Sequence, residues 1–211
     1  GKLIEAAAKS GDIEDAGRWF DALSAEFGVN TLVFNIVIDA CAKASCPDQA
    51  EAWFYKMQTM SISPDAISYD TIINACAQCA QADTATMWLD RMEAARLEPS
   101  AMTYNCVVNA CVQAGSGDEA RLWFQKMVVR RISPDRFVYN SLINISAKTG
   151  LVADMHDWVG RMQAADLQLD LVTYTIVIEA YAKAGDTNMA VVTFQQMLAA
   201  SVQPDIASYT N

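Results

Sequence analysis

Residues 101–135 read AMTYNCVVNACVQAGSGDEARLWFQKMVVRRISPD. Tyr104, Val107, Val108 and Cys111 recur at spacings of three and four, which puts them on one face of a first helix, helix A. Gly115 breaks that pattern. Ser116 then opens a second helix, helix B, with Glu119 three residues on at the spacing of a capping box. Ala120, Trp123, Phe124 and Met127 form the apolar stripe of helix B. Pro134-Asp135 closes the stretch, and Asp135 is placed to cap the following helix.

The same pattern returns every 35 residues on both sides. Met57, Met92, Met127, Met162 and Met197 keep that period, as do Trp53, Trp88, Trp123 and Trp158. Tyr69, Tyr104, Tyr139, Tyr174 and Tyr209 follow it, and so do Pro64, Pro99, Pro134 and Pro204, with Leu169 in the one gap. A fixed period of this size means repeats that bury their apolar faces against their neighbours. The expected fold is all-α: an α-solenoid of helix-turn-helix hairpins, about six repeats in a single array over 1–211. Five complete units run 31–65, 66–100, 101–135, 136–170 and 171–205. A partial unit at 1–30 is one residue short before Thr31, and another unit opens at 206–211. Alanines recur at position 10 of a unit (Ala40, Ala75, Ala110, Ala180) and at position 20 (Ala50, Ala85, Ala120, Ala190), letting helices A and B approach closely. Neither end carries a polar capping repeat, so the chain is expected to be an internal segment of a longer protein.

This unit resembles the pentatricopeptide repeat. Met102-Thr103-Tyr104-Asn105-Cys106-Val107-Val108 and Leu171-Val172-Thr173-Tyr174-Thr175-Ile176-Val177 match the family's opening. Ala182-Lys183-Ala184-Gly185 matches its mid-turn, and Pro64-Asp65, Pro134-Asp135 and Pro204-Asp205 match its close. The tetratricopeptide repeat fits less well, because its period is 34 and its tryptophan lies in helix A. The resemblance implies a right-handed superhelix and binding of single-stranded RNA, one base per repeat. It also implies an organellar location, mitochondrion or chloroplast, and a role in RNA processing, stability or translation.

Positions 2, 5, 9 and 13 share one face of helix A. Under the resemblance, positions 5 and 35 address the base edge, position 2 sandwiches the base, and Lys at position 13 approaches phosphate. The implied readers are Asn35 with Asp65, Asp70 with Ser100, Asn105 with Asp135, Asn140 with Asp170, and Thr175 with Asp205. Phe137 is placed to stack on a base, and Lys43, Lys148 and Lys183 to meet phosphate. The Asn–Asp pairs imply uridine, the Thr–Asp pair guanosine, and Asp70 with Ser100 is left open. The expected core is 5′-U-N-U-U-G-3′. Each residue also has a plainer reading. The aspartates are equally helix N-caps, the asparagines solvated first-turn groups, and Leu32, Ile67, Met102 and Val172 packing between repeats.

Charge argues the other way. Fifteen basic and 25 acidic residues give a net charge of −10, where a nucleic-acid binder carries a basic footprint. Position 13 is Gln78 and Gln113 in two successive units. Either flanking repeats supply the missing charge, or the array contacts protein. The alternative partner is thus the protein subunits of a large organellar complex, a ribosome or an energy-transducing assembly.

No enzyme chemistry is expected. Cys76 and Cys79 form one C-x-x-C with no second pair or histidine cluster, so neither metal nor cofactor is expected. Cys41, Cys76 and Cys111 share a packing position and are expected to be reduced thiols. His156 is the single histidine, with no nucleophile beside it. No apolar run reaches the ~18 residues of a membrane span.

Overall fold

The computed structural model describes residues 2–10 and 12–204. Asp205, Tyr209 and the opening of the next unit at 206–211 lie outside the described residues. Twelve helices are present among the described residues. They are α1 (Lys2–Ser10), α2 (Ile13–Glu26), α3 (Thr31–Lys43), α4 (Pro47–Thr59), α5 (Ala66–Gln78), α6 (Ala82–Ala94), α7 (Ala101–Gln113), α8 (Gly117–Val129), α9 (Arg136–Lys148), α10 (Val152–Ala164), α11 (Leu171–Lys183) and α12 (Thr187–Ala199). None is long and apolar enough to cross a membrane. The chain divides into two compact units, 1–114 and 115–211.

In the first unit, α1, α3, α5 and α7 pack in a row as A helices, with α2, α4 and α6 as their B partners. In the second, α9 and α11 pack together, α10 and α12 back them, and α8 lies against α9. Each A helix from α3 onward begins at a capping residue with extended backbone. Asn30, Asp65, Ser100, Asp135 and Asp170 each accept a hydrogen bond from the N–H three residues on. The aspartates are thus N-caps, as one of the two readings has it.

The B helices start differently. Cys46, Gln81, Ser116 and Leu151 precede them with ψ near 70° and make no side-chain cap bond. This corrects the expected capping box at Ser116. The same backbone at Asp186 does cap, its carboxylate accepting from the Met189 N–H at 3.0 Å. The Asp186 carboxylate reaches one atom further than a serine hydroxyl. Capping boxes occur instead on A helices, at Asp65–Ser68 and Ser100–Thr103.

Both kinds of turn close in the same way. Before each B helix from α4 onward one residue takes positive φ: Ser45, Ala80, Gly115, Gly150 and Gly185. After each B helix Ser61, Arg96, Arg131, Asp166 and Ser201 do the same, none of them glycine. The N–H of the next residue then returns to the last-turn methionine carbonyl, as from Ile62 to Met57 and from Leu97 to Met92 at 3.1 Å. The partial first unit uses a shorter link. Gly28 takes positive φ two residues ahead of the Asn30 cap, where the later units leave four.

The core consists of the repeated apolar rungs. Met57, Met92, Met127, Met162 and Met197 are fully buried, and Trp88, Trp123 and Trp158 nearly so. Three of the tryptophans stack edge-on against a phenylalanine of the preceding hairpin: Trp53 on Phe20 at 4.8 Å, Trp88 on Phe54 at 4.6 Å, Trp158 on Phe124 at 4.9 Å. A cation three residues on covers each indole: Lys56, Arg91, Lys126 and Arg161, at 3.7–4.8 Å from the ring centroid. The last hairpin has Thr193 and Gln196 at these two places, and Val159 where the phenylalanine would be. A cavity of about 110 Å³ lies there, bordered by His156, Val159, Tyr181 and Thr193.

Candidate nucleic-acid interface

The A helices carry the candidate residues on one face, because positions 2, 5, 9 and 13 are spaced by three and four. At position 2, Leu32, Ile67, Met102, Phe137 and Val172 are 52–65% exposed. They are not packing between repeats. Exposed apolar side chains repeated once per hairpin form a ladder open to flat partners.

Position 5 is the reverse. Asn35 is 6% and Asn105 4% exposed, so these amides are not solvated first-turn groups. Asn35 donates from Nδ2 to Asp65 Oδ1 at 3.1 Å, which joins positions 5 and 35 of one repeat. Its Oδ1 lies 2.7 Å from the Ser68 hydroxyl of the next helix. Burial pushes the Asp65 carboxyl up, but the Ser68 N–H, the Asn35 amide and the Ser68 hydroxyl outweigh it and hold the group below the usual range. Asp65 is therefore a firm acceptor at neutral pH.

The second unit repeats the hydroxyl contact, without a bond between amide and carboxylate among the described residues. The Thr173 hydroxyl donates to Asn140 Oδ1 at 2.7 Å and lies 2.8 Å from Asp170 Oδ1. Burial raises the Asp170 carboxyl, and the Thr173 N–H, the Thr173 hydroxyl and Arg136 lower it further, to below its ordinary value. Asn105 and Asp135 belong to different compact units. Asp135 caps α9 by accepting from Val138 N–H at 3.1 Å. Thr175 donates back to the Leu171 carbonyl at 2.8 Å, and its reader partner Asp205 lies outside the described residues.

Asp70 departs from the others. It accepts from the Thr103 hydroxyl, while burial and the Asp65 charge raise its carboxyl above the usual range against that bond. Ser100, its position-35 partner, caps α7 and shares a 3.0 Å contact with Thr103 Oγ1.

The lysine ladder is largely self-neutralised. Lys43 pairs with Asp39 at 2.6 Å, and Lys183 pairs with Glu179. Lys148 has Asn144 one turn before it and makes no ion pair among the described residues. Between α9 and α11 a shallow cavity of about 110 Å³ is lined by Asn144, Lys148, Ile176, Glu179 and Lys183.

The position-3 hydroxyls Ser68, Thr103 and Thr173 were not among the sequence candidates. The signal was available: three of the five complete units carry Ser or Thr there, against Val33 and Val138 in the others. Elsewhere the chemistry is quiet. Burial pushes the Cys41 and Cys106 thiols to about 11 and Cys76 to about 12, so they are poor nucleophiles. All six cysteines are free, and no group of three metal-ligating side chains gathers among the described residues. His156 Nδ1 lies 2.8 Å from the Tyr181 hydroxyl.

The family described as the pentacotripeptide-repeat region of PRORP matches residues 2–151 and, in an overlapping placement, 70–211. No curated protein matches the chain. Similar solved structures include the pentatricopeptide repeat protein PPR10 from maize, 27% identical with a TM-score of 0.74 over 98% of this chain and 30% of that one. PPR10 in complex with an 18-nt psaJ RNA element is 21% identical with a TM-score of 0.80, at the same coverage. The PPR domain of Arabidopsis thaliana protein-only RNase P 1 in complex with tRNA is 17% identical with a TM-score of 0.72, over 86% of this chain and 96% of that one. The chain thus spans about a third of the length of PPR10. The period, the hairpins, the capped A helices and a family match from residue 2 to residue 211 agree: the chain belongs to the pentatricopeptide repeat family.

Proposed function

We propose that this chain binds single-stranded RNA sequence-selectively, one base per repeat, and serves RNA processing, stability or translation in an organelle, with no catalysis of its own. One observation carries the reading. Helix-A faces combine an exposed apolar side chain at position 2 with a polar group at position 5 that is held in place, as in Leu32 beside Asn35, Ile67 beside Asp70 and Phe137 beside Asn140. Packing needs neither feature. A flat base with a hydrogen-bonding edge uses both. Two chains of the same fold are seen with RNA, PPR10 with an 18-nt element and the PRORP1 domain with tRNA.

The base assignments follow from the pairs. Asn35 with Asp65, Asn105 with Asp135 and Asn140 with Asp170 take uridine, and Thr175 with Asp205 takes guanosine. Asp70 accepts and does not donate, so its repeat favours bases that present donors. The sought core is 5′-U-N-U-U-G-3′.

The test is a binding titration against this RNA and a scrambled one, at two salt concentrations. Asn140→Ala should weaken binding to the matched RNA by about 1–3 kcal/mol, the worth of one base-edge contact. Lys148→Ala should weaken both RNAs alike and reduce the salt slope. Equal affinity for both sequences removes the base-by-base reading. The net charge of −10 and the paired Lys43 and Lys183 favour the second reading, contact with protein subunits of an organellar complex. No affinity for either RNA would leave that reading in front.

A further inference from the structure

The third residue of a helix A touches the reader of the helix before it. Ser68, Thr103 and Thr173 are at most 1% exposed, and each places its hydroxyl on the position-5 side chain of the preceding repeat: Asn35, Asp70 and Asn140. We propose that this hydroxyl is a positioning residue for base recognition, fixing which end of the asparagine amide each base meets. The inference rests on the RNA reading above.

Proton counting supports it. The Ser68 hydroxyl has one proton and two oxygen acceptors in reach, Asn35 Oδ1 at 2.7 Å and Asp65 Oδ1 at 2.9 Å, with the weakly accepting Met57 Sδ further off at 3.9 Å. Asp65 Oδ1 already accepts from Ser68 N–H at 2.9 Å and from Asn35 Nδ2 at 3.1 Å. Asn35 Oδ1 has no other donor among the described residues. The proton therefore belongs on the amide oxygen. The nitrogen end is then held by Asp65, and one N–H and one oxygen lone pair remain.

A base edge reads that order. Uracil and cytosine offer a donor and an acceptor side by side, in opposite sequence. An amide rotated by 180° exchanges its own donor and acceptor, so a loosened amide blurs uracil against cytosine. The two described Asn modules differ in how firmly they are held. Asn35 has both Asp65 and Ser68. Asn140 is bonded among the described residues by the Thr173 hydroxyl alone. Loss of the hydroxyl should therefore matter more at Asn140.

The experiment uses short single-stranded RNAs carrying the five-base core, identical except for U or C at the base facing Asn140 or at the base facing Asn35. Thr173→Val keeps the branched shape and removes the hydroxyl. It should cut U-over-C discrimination about two- to tenfold at the Asn140 base, the worth of one hydrogen bond, and leave the Asn35 base unchanged. Thr173→Ser should restore it. Ser68→Ala should lower discrimination at the Asn35 base by a smaller factor, because Asp65 still orients the amide. A merely structural role would weaken U and C RNAs alike at both places. If the unaltered chain discriminates and Thr173→Val discriminates as well, the inference falls and the RNA reading stands. If the unaltered chain shows no preference at either base, both fall together.

Discussion

Replacing Thr193 by tryptophan should stabilise the last hairpin. Trp53, Trp88, Trp123 and Trp158 occupy this place in the other units, and Thr193 leaves a cavity of about 110 Å³ beside Val159 and Tyr181. At about 24 cal/mol per Å³ of cavity, filling it is worth about 2.6 kcal/mol at most. The cavity opens to solvent, and water already occupying it lowers that figure. Thr193 also gives up its bond to the Met189 carbonyl at 2.8 Å, a back-bond within the helix that contributes little. Fitting an indole against Val159 rather than a phenylalanine ring adds some strain. The expected net gain is about 1–2 kcal/mol, or about 2–8 °C for a chain of this length. Gln196→Arg, added to Thr193→Trp, supplies the cation found over the other indoles and should contribute about 0.5–1 kcal/mol more. Thermal unfolding reads the total. Amide hydrogen exchange locates it, with slowed exchange confined to α11, α12 and their neighbours, because repeats couple mainly to adjacent repeats. A Thr193→Trp protein that melts no higher and exchanges as fast in α12 would refute the account of the rung.

Other substitutions test other parts of the fold. Trp88→Ala should cost about 3–5 kcal/mol in urea unfolding, since the ring is 1% exposed against Phe54 and beneath Arg91; a loss under about 1 kcal/mol would mean the rung is not core. Ala80→Gly should raise stability by about 1 kcal/mol, because Ala80 holds φ at 55° where Gly115, Gly150 and Gly185 stand in later units; an unchanged midpoint would show that the strain is absorbed elsewhere. Asp65 and Asp170 have depressed folded-state values, so their contribution is present above the unfolded value near pH 4 and lost as pH falls through the folded one. The Asp65→Asn, Asp170→Asn double variant keeps both caps and should flatten the decline in stability below about pH 4; an identical acid profile would contradict this.

The fold was legible because the same residues recur in register. The helix starts at Thr31, Ala66, Ala101, Arg136 and Leu171 follow from a 35-residue period and from an acid, Ser or Asn just ahead. Two things were not legible. Ser116 and Glu119 have the spacing of a capping box, but the backbone at Ser116 follows a positive-φ residue, and spacing carries no information on ψ. The position-3 hydroxyls were also hidden. Ser68 lies 33 residues from the Asn35 it bonds, so no local pattern links them. Exposure of Leu32 and burial of Asn35 likewise invert what hydropathy alone suggests. The aspartates were the instructive middle case. The cap reading holds for Asp65, and the same oxygen that caps α5 also bonds Asn35, a link that no local pattern shows.

The hydroxyl of Ser68 has a consequence for how such arrays are recombined. The helical hairpin changes over between Asp65 and Ala66, but the groups gathered around Asn35 extend to Ser68. A crossover at the hairpin boundary therefore unites a reader from one parent with a clasp from another, and places Val33 or Val138 where a hydroxyl stood in some combinations. A crossover three residues later transfers the whole set intact. Under the base reading proposed above, chimaeras cut after position 3 should keep the parental base preference more faithfully than those cut at the helix start, although both preserve every helix.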